Sequence, residues 1–490
     1  MVLPSLVRAA ERAASLAATE EAQHAYERAA ELSDDPLEQA DLHEHAGLMA
    51  RTGARSEEGA AHYEQAIALF DGAGATHPAA RVSARLAEVM WDRGRLDHGL
   101  EIMDRSYKVL AEEEPDADLA ALAAQLGRFL FFGGRHDLAR ARIEAALELS
   151  EALWLPETFS QALNTKGIML VSHGRVREGV ALLRYALDVA LEYDKPSAVL
   201  RAYFNLADTL SQGDRYEEAA TYVRDGLAFA RRVGNRYQEL LFLAQTYAFF
   251  ALGDWEELVQ MASLLPREQW ADYRQAFGTV MSVHVVCNVH MGRLDEAEEF
   301  SALLAELRES DDTQERAAYC CGQARVLLAK GDAEGALRMA EVAIAVREEM
   351  GVGQEYVKEG LVAAFEAACE LRDVDKLQEL LAVIDTLPPG NRPQFLRAQS
   401  LRFRAQLAGL TSDADAERLF KGATGLFREL AMPFYLAVTE LEHAQWLSEQ
   451  SRGDEAEPLL TEAKEIFERL GAAPWLDRVA KVGSPAQVPT

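Results

Sequence analysis

Hydrophobic and polar positions follow a helical period along almost the whole chain. Segments such as QALNTKGIMLV (Gln161 to Val171) and GVALLRYALDVALEY (Gly179 to Tyr193) place apolar residues three and four apart, the spacing of one helix face. Each segment closes on a short polar turn, usually Gly followed by Arg or Asp, the expected stop signal of a helix. Stretches with strand-like alternation are almost absent, so the pattern predicts an all-α fold.

The turn phrases recur. TGARSEEG, RGRLDHG, GGRHDLA, HGRVREG, QGDRYEEA, LGDWEEL, MGRLDEA, KGDAEGA, RDVDKL, TSDADA and RGDEA can be anchored on Gly59, Gly99, Ala139, Gly179, Ala219, Leu258, Ala297, Ala336, Leu377, Ala416 and Ala456. The anchors recur at a near-constant period of about 40 residues, and eleven such units predict a solenoid of helical hairpins. The second turn of each unit often carries Pro, as at Pro156, Pro196 and Pro433, which suits the first turn of a following helix.

Twelve positions before the anchor a second small residue recurs: Gly47, Ala87, Gly127, Gly167, Ala207, Ala324 and Ala444. The other four units have Thr246, Val285, Phe365 and Arg404 there. Small residues on both helices would let the two backbones approach, with Leu163, Leu170, Leu183 and Leu187 filling the space between hairpins. The phrase GRVREG (Gly174 to Gly179) matches the start of a phosphate-binding loop, but Val180 and Ala181 stand where Lys and Ser or Thr are required. Gly174 is therefore read as a left-handed helix cap and Gly179 as a packing position.

Leu206, Ala207, Ala219 and the QGDRYEEA turn resemble the consensus of the tetratricopeptide repeat family, and the resemblance covers about residues 20 to 475. The period exceeds that family's usual length of about 34 residues by roughly 1.7 helical turns per hairpin. This resembles the long-repeat variants of kinesin light chains and of large bacterial signalling ATPases. The resemblance implies a right-handed α-α superhelix of about eleven hairpins, with first helices lining a concave groove. The expected organisation is a capping helix over residues 1–20, an array over 21–385, and more degenerate repeats with a capping helix over 386–480. Leu377 in place of a small anchor and PPGNRP (Pro388 to Pro393) mark the change, and residues 481–490 are expected to be a disordered tail. The segments ERAASLAATEEAQHAYERAAELSDDPLEQADLHEHAG and SQALNTKGIML are similar to C-terminal arrays of AAA/STAND-type signalling ATPases fused to nucleotide cyclases or LuxR-type regulators. That similarity implies a sensor or regulatory module, either stand-alone or part of a longer bacterial protein.

Composition narrows the functions. Hydrophobic residues make up 49% of the chain and charged residues 27%, a folded composition. A formal net charge of −30 repels phosphate backbones and argues against nucleic-acid binding. The most apolar stretch, Leu240 to Leu252, is too short to span a bilayer, and Arg8, Glu11 and Arg12 stand where a signal peptide needs an apolar run. Cys287, Cys320, Cys321 and Cys369 form no C-x-x-C pair and read as small core residues of a cytoplasmic protein. No metalloprotease, nucleotide-binding or hydrolase motif occurs. His43 and His45, two apart on a helix, face different directions, and His284 and His290 flank an apolar helix. No catalysis, cofactor or metal is expected.

What remains is binding. Arg81, Arg128, Asn164, Arg201 and Asn205 fall on first helices at positions expected to face the groove. Asn and Arg there suit the backbone and carboxylates of a protein or peptide partner, because the planar guanidinium pairs bidentately with a carboxylate. The alternative is that these residues are solvated, or pair with Glu88 and Asp208. Tyr203, Phe204 and Phe129 through Phe132 read as core. The expected function is a non-catalytic interaction scaffold. The runner-up is a small-ligand or peptide receptor controlling a transcriptional regulator or a nucleotide cyclase. The pattern leaves the oligomeric state open.

Overall fold

All eleven anchors lie in the second helix of a helical hairpin, from Gly59 in Ser56–Gly72 to Ala456 in Gly453–Leu470. The computed structural model describes residues 2–92, 96–112, 114–265, 274–310, 312–411 and 415–483. Among these residues there are α-helices, two short 3-10 turns and no strand. Consecutive helices pack in antiparallel pairs, and first helices also touch the first helices of neighbouring hairpins. The fold is a solenoid of the tetratricopeptide type. The RGR and SDA parts of two turn phrases (93–95 and 412–414), Pro266, and residues 484–490 of the expected tail lie outside the described residues.

The turns explain the period. A left-handed residue ends successive helices at Gly134, Trp154, Gly174, Asp194, Asp214 and Gly234, evenly spaced and two to each repeat. At each, the following amide donates back to the carbonyl five positions earlier: Arg135 to Leu130 (2.8 Å), Leu155 to Ser150 (2.7 Å), Arg175 to Leu170 (2.9 Å) and Lys195 to Ala190 (2.9 Å). This is the Schellman cap, which satisfies carbonyls that the helix leaves open. Turns within a hairpin and between hairpins therefore share one geometry, and each repeat consists of two halves of equal length. Gly174 has φ +78°, as its sequence context predicts.

The small pairs make the close approach expected of them. A Cβ on Gly59 would lie 3.2 Å from the Gly47 carbonyl oxygen, and one on Gly99 would lie 3.2 Å from that of Ala87. Gly167 and Gly179 approach more tightly still: a Cβ on Gly179 would lie 2.6 Å from the Gly167 oxygen. Leu163, Leu183 and Leu187 are buried beside them, and one apolar core runs from Ala80 to Ala186. Val2–Ser15 and Thr19–Leu32 form a further hairpin before the first anchor. It repeats the motif with Ala10 and Ala22, at the same separation and both fully buried. In the sixth repeat the first helix is split into Arg236–Ala244 and Tyr247–Leu252, with buried Thr246 at the position where most hairpins have a small residue.

The described residues fall into two compact units, one built from 2–209, 221–243 and 274, the other from 210–220, 244–265 and 275–483. In the first, the Arg51 guanidinium lies 5.7 Å over the Tyr237 ring, so the first helices of the first and sixth repeats come together. In the second, buried Lys358 on Glu355–Glu370 donates to Asp214 Oδ1 (2.7 Å) and to the carbonyls of Ser211 and Gln212 (3.2 Å each). Asp214 Oδ2 in turn accepts from the Phe395 amide at 2.9 Å. Segments far apart in sequence are thus stapled by one satisfied ion pair.

Candidate partner-binding face

The polar residues of the first helices fall on one stripe. Arg81 and Arg201 occupy equivalent places in their repeats, as do Gln125 and Asn205, and likewise Glu88 and Arg128. Within a helix these places are separated by steps of four and three, which stay on one face. Successive hairpins then place the side chains side by side, and hydrogen bonds link residues 36 to 41 apart.

In the first unit, Arg81 is taken up by carboxylates of its neighbours. Its Nε and Nη2 donate to Glu44 at 3.1 and 2.7 Å, and Asp118 accepts from Nη1 at 3.5 Å. Glu44 is itself buried, and the two parallel bonds make a fork-to-fork pair whose Arg81 side stays 31% exposed. Its partners lie on first helices, as the alternative reading of the sequence allows, but they are Glu44 and Asp118 rather than Glu88 or Asp208.

Arg128 and Arg201 come together around Glu88. Burial pushes the Glu88 carboxyl up, but the charges of Arg51, Arg128 and Arg201 outweigh it and hold the pKa below the usual value. Arg51 also pairs directly with Glu88, and Gln125 donates to it at 2.5 Å. Three guanidiniums thus converge on one carboxylate inside a chain of net charge −30. Burial, and next the neighbouring Arg128 charge, push the Arg201 pKa down, with Glu88 opposing. Arg201 Nη2 donates to Thr165 Oγ1 at 2.7 Å, and Asn205 donates to Asn164 Oδ1. Arg201 Nε and Asn164 Nδ2 are buried and make no hydrogen bond. The Arg128 guanidinium rests 5.9 and 5.8 Å from the Phe129 and Phe132 ring centres; Phe129 is core, whereas Phe132 is exposed.

The same stripe in the second unit is missed by the sequence reading. Arg325 and Glu366 stand in the place that Arg128 holds in its repeat, and Arg402 and Glu442 in the place of Asn205. These shared places were the available signal. Arg402 holds Glu442 with two bonds, Nε to Oε2 at 2.7 Å and Nη2 to Oε1 at 2.5 Å. Glu366 bridges Arg402 (3.1 Å) and Arg325. Burial pushes the Glu366 pKa up, yet the two guanidiniums bring it down to about 2. Arg325 and Arg402 are buried, and Nε and Nη2 of Arg325 make no hydrogen bond. Glu359 accepts from Tyr247 (3.0 Å) and Tyr435.

Among the described residues, no group of three or more His, Cys, Asp or Glu is placed to hold a metal ion. His43 stacks on His62 with ring centres 5.4 Å apart, and His290 accepts from the Trp475 indole at 3.3 Å. All four cysteines are free, and three are buried. No helix among the described residues is long and apolar enough to cross a membrane.

The fold and the inter-hairpin polar stripe define a helical-repeat solenoid of the tetratricopeptide type. No protein-family model matches the chain, and no curated protein matches it in sequence. Among solved structures, yeast Tom70 is similar at TM-score 0.35 and 14% identity, over 98% of this chain and 99% of that one. The human IFIT1 dimer with PPP-AAAA is similar at TM-score 0.43 and 11% identity, over 83% of this chain and 91% of that one. A monomeric IFIT1 mutant with m7Gppp-AAAA is similar at TM-score 0.44 and 12% identity, over 82% and 90%.

Proposed function

We propose that this chain is a non-catalytic scaffold and that the stripe of its first unit holds an extended, carboxylate-bearing segment of a partner protein. The observation that carries the reading is the cluster of Arg128, Arg201, Asn164 and Asn205, with donors of Arg201 and Asn164 buried and uncommitted. A buried donor without a partner costs about 1–3 kcal/mol, which a ligand carboxylate or carbonyl would recover. Arg81 is a structural member of the stripe in this reading, since Glu44 already occupies its fork. In its cellular setting the chain acts as the regulatory module of a cytoplasmic bacterial signalling protein and binds no nucleic acid, in keeping with its charge.

The test is a fluorescence-anisotropy titration of acidic decapeptides with free C-terminal carboxylates. Replacing Arg128 and Arg201 together by Ala should weaken the tightest binder by about tenfold or more. Arg81→Ala should leave affinity within about twofold. Unchanged affinity in the Arg128/Arg201 variant would remove the site assignment.

A second reading, a receptor for a small anion, rests on Arg325, whose guanidinium is 3% exposed with two donors unused. Native mass spectrometry of the purified chain distinguishes it. A bound small acid lost on Arg325→Met supports the receptor, and a bare mass spectrum counts against it.

A further inference from the structure

A chain of aromatic rings lies at the outer edge of the third and fourth repeats, built from residues that the inner stripe does not use. Trp154 meets Tyr193 edge-on at 5.4 Å and Phe159 at 6.4 Å, and Phe159 meets Tyr185 edge-on at 6.5 Å. Three of the rings face solvent: Trp154 is 50% exposed, Tyr185 52% and Tyr193 37%. Among the Phe, Tyr and Trp side chains whose exposure is described, Phe132 is the one other strongly exposed ring. Exposed Trp and Tyr rings set close together are the usual composition of an interface centre.

The repeat's own turn geometry places the Trp154 ring. Trp154 has φ +48°, the left-handed cap conformation that Gly134, Gly174, Asp194, Asp214 and Gly234 adopt in the same series of turns. For a non-glycine residue that conformation costs roughly 1–2 kcal/mol. Asp194 and Asp214 take the same conformation, so the cap belongs to the repeat; at Trp154 it presents an aromatic ring half in water.

The rim identifies the occupant. Glu151 precedes Trp154 on the last turn of its helix, Asp188 and Glu192 share the outer face of Val176–Glu192 with Tyr185, and Asp194 adjoins Tyr193; all four acids are exposed. A second copy of the chain would bring the same carboxylates against themselves, which like-charge repulsion opposes. A cation would gain both the carboxylates and the ring faces. We propose that this ring chain docks a cationic segment of a partner protein, one that carries Lys or Arg between apolar side chains.

The test uses the full chain and a labelled peptide of three Arg-Ala-Leu-Lys repeats, followed by anisotropy at near-physiological salt. Trp154→Gly and the double variant Tyr185→Ala/Tyr193→Ala keep the formal charge, so diffuse attraction to the acidic chain is the same in all three proteins. Each variant should weaken binding by about tenfold. Trp154→Gly should also leave the thermal midpoint unchanged or higher, because glycine relieves the left-handed strain. Affinity within about twofold of wild type in both variants would overturn the proposal. So would equal binding of the peptide with Glu in place of Arg and Lys. Self-association in sedimentation that Trp154→Gly abolishes would reassign the patch to a second copy.

Discussion

Gly179→Ala is the most discriminating perturbation of the fold, because sequence and geometry disagree about it. Ala stands at the equivalent anchor in Ala139 and Ala219, so the repeat pattern alone treats the change as harmless. Helix propensity even favours it, by about 1 kcal/mol for Gly to Ala in a helix interior. The structure opposes it. The new Cβ would sit 2.6 Å from the Gly167 carbonyl oxygen and 2.5 Å from Val171 Cγ2. The valine methyl can rotate away, but the carbonyl belongs to the backbone of the facing helix, and the hairpin must open by several tenths of an ångström. Overpacking of this kind costs about 1–3 kcal/mol. Set against the propensity gain, the net loss should be about 1 kcal/mol, a fall in midpoint of roughly 2–4 °C for a unit of this size. The matched control is Gly59→Ala, where the clearance to the Gly47 oxygen is 3.2 Å and the two effects should cancel. Thermal midpoints should be read together with hydrogen exchange over Pro156–Ser172 and Val176–Glu192, since a chain of two units need not melt in one step. A Gly179→Ala protein as stable as wild type, with unaltered exchange in these helices, would refute the argument from close approach.

Two further predictions concern buried charge in the second unit. Arg402→Met leaves Glu366 and Glu442 without their shared guanidinium and should cost about 3–5 kcal/mol, read from urea midpoints. Adding Glu442→Leu should recover part of that loss, and a double variant weaker than the single would contradict this. Glu440, fully buried, has its pKa raised to about 8 by burial and by Glu462, with Arg428 at 3.1 Å opposing. A carboxyl whose folded pKa is raised gives its full stability below the unfolded value of about 4.3, and that stability is lost as pH rises through about 8. Glu440→Gln should therefore match wild type near pH 4 and exceed it increasingly up to about pH 8. The full shift would be worth roughly 5 kcal/mol, and about half is expected because Arg428 and Glu462 are in contact with water. Parallel stability profiles for the two proteins would exclude a protonated Glu440.

The array is legible in the sequence because each hairpin packs chiefly on its neighbours, so the same contact recurs at the same interval and leaves the same residue types; the contacts of Arg51 with Tyr237 and of Lys358 with Asp214 join distant repeats and follow no such interval. Gly47 and Gly59, or Gly167 and Gly179, can be paired by counting. The hairpin carrying Ala10 and Ala22 is hidden, because its turn SLAATEEA has no glycine and Ala22 falls slightly short of a full repeat before Gly59. Arg81 belongs on the stripe by its spacing, but its partner Glu44 sits on the neighbouring hairpin, and the choice between groove and neighbour depends on distances that a pattern does not contain. Trp154 is invisible for another reason. A left-handed backbone is announced by Gly or Asn, and a tryptophan there reads as an ordinary turn residue.

The even interval between left-handed caps has a consequence for how such an array can change length. Each cap reverses the chain, so helices alternate between two roles, and only parity decides whether a helix carries the inner stripe. Loss or gain of a whole repeat leaves every later helix in its role. A shift of half a repeat would exchange the roles of all helices downstream, turning the Arg325, Glu366, Arg402 and Glu442 network toward solvent and the acidic second helices inward. Over the evenly capped repeats, a change in length by whole hairpins is therefore the one that keeps every downstream helix in its role.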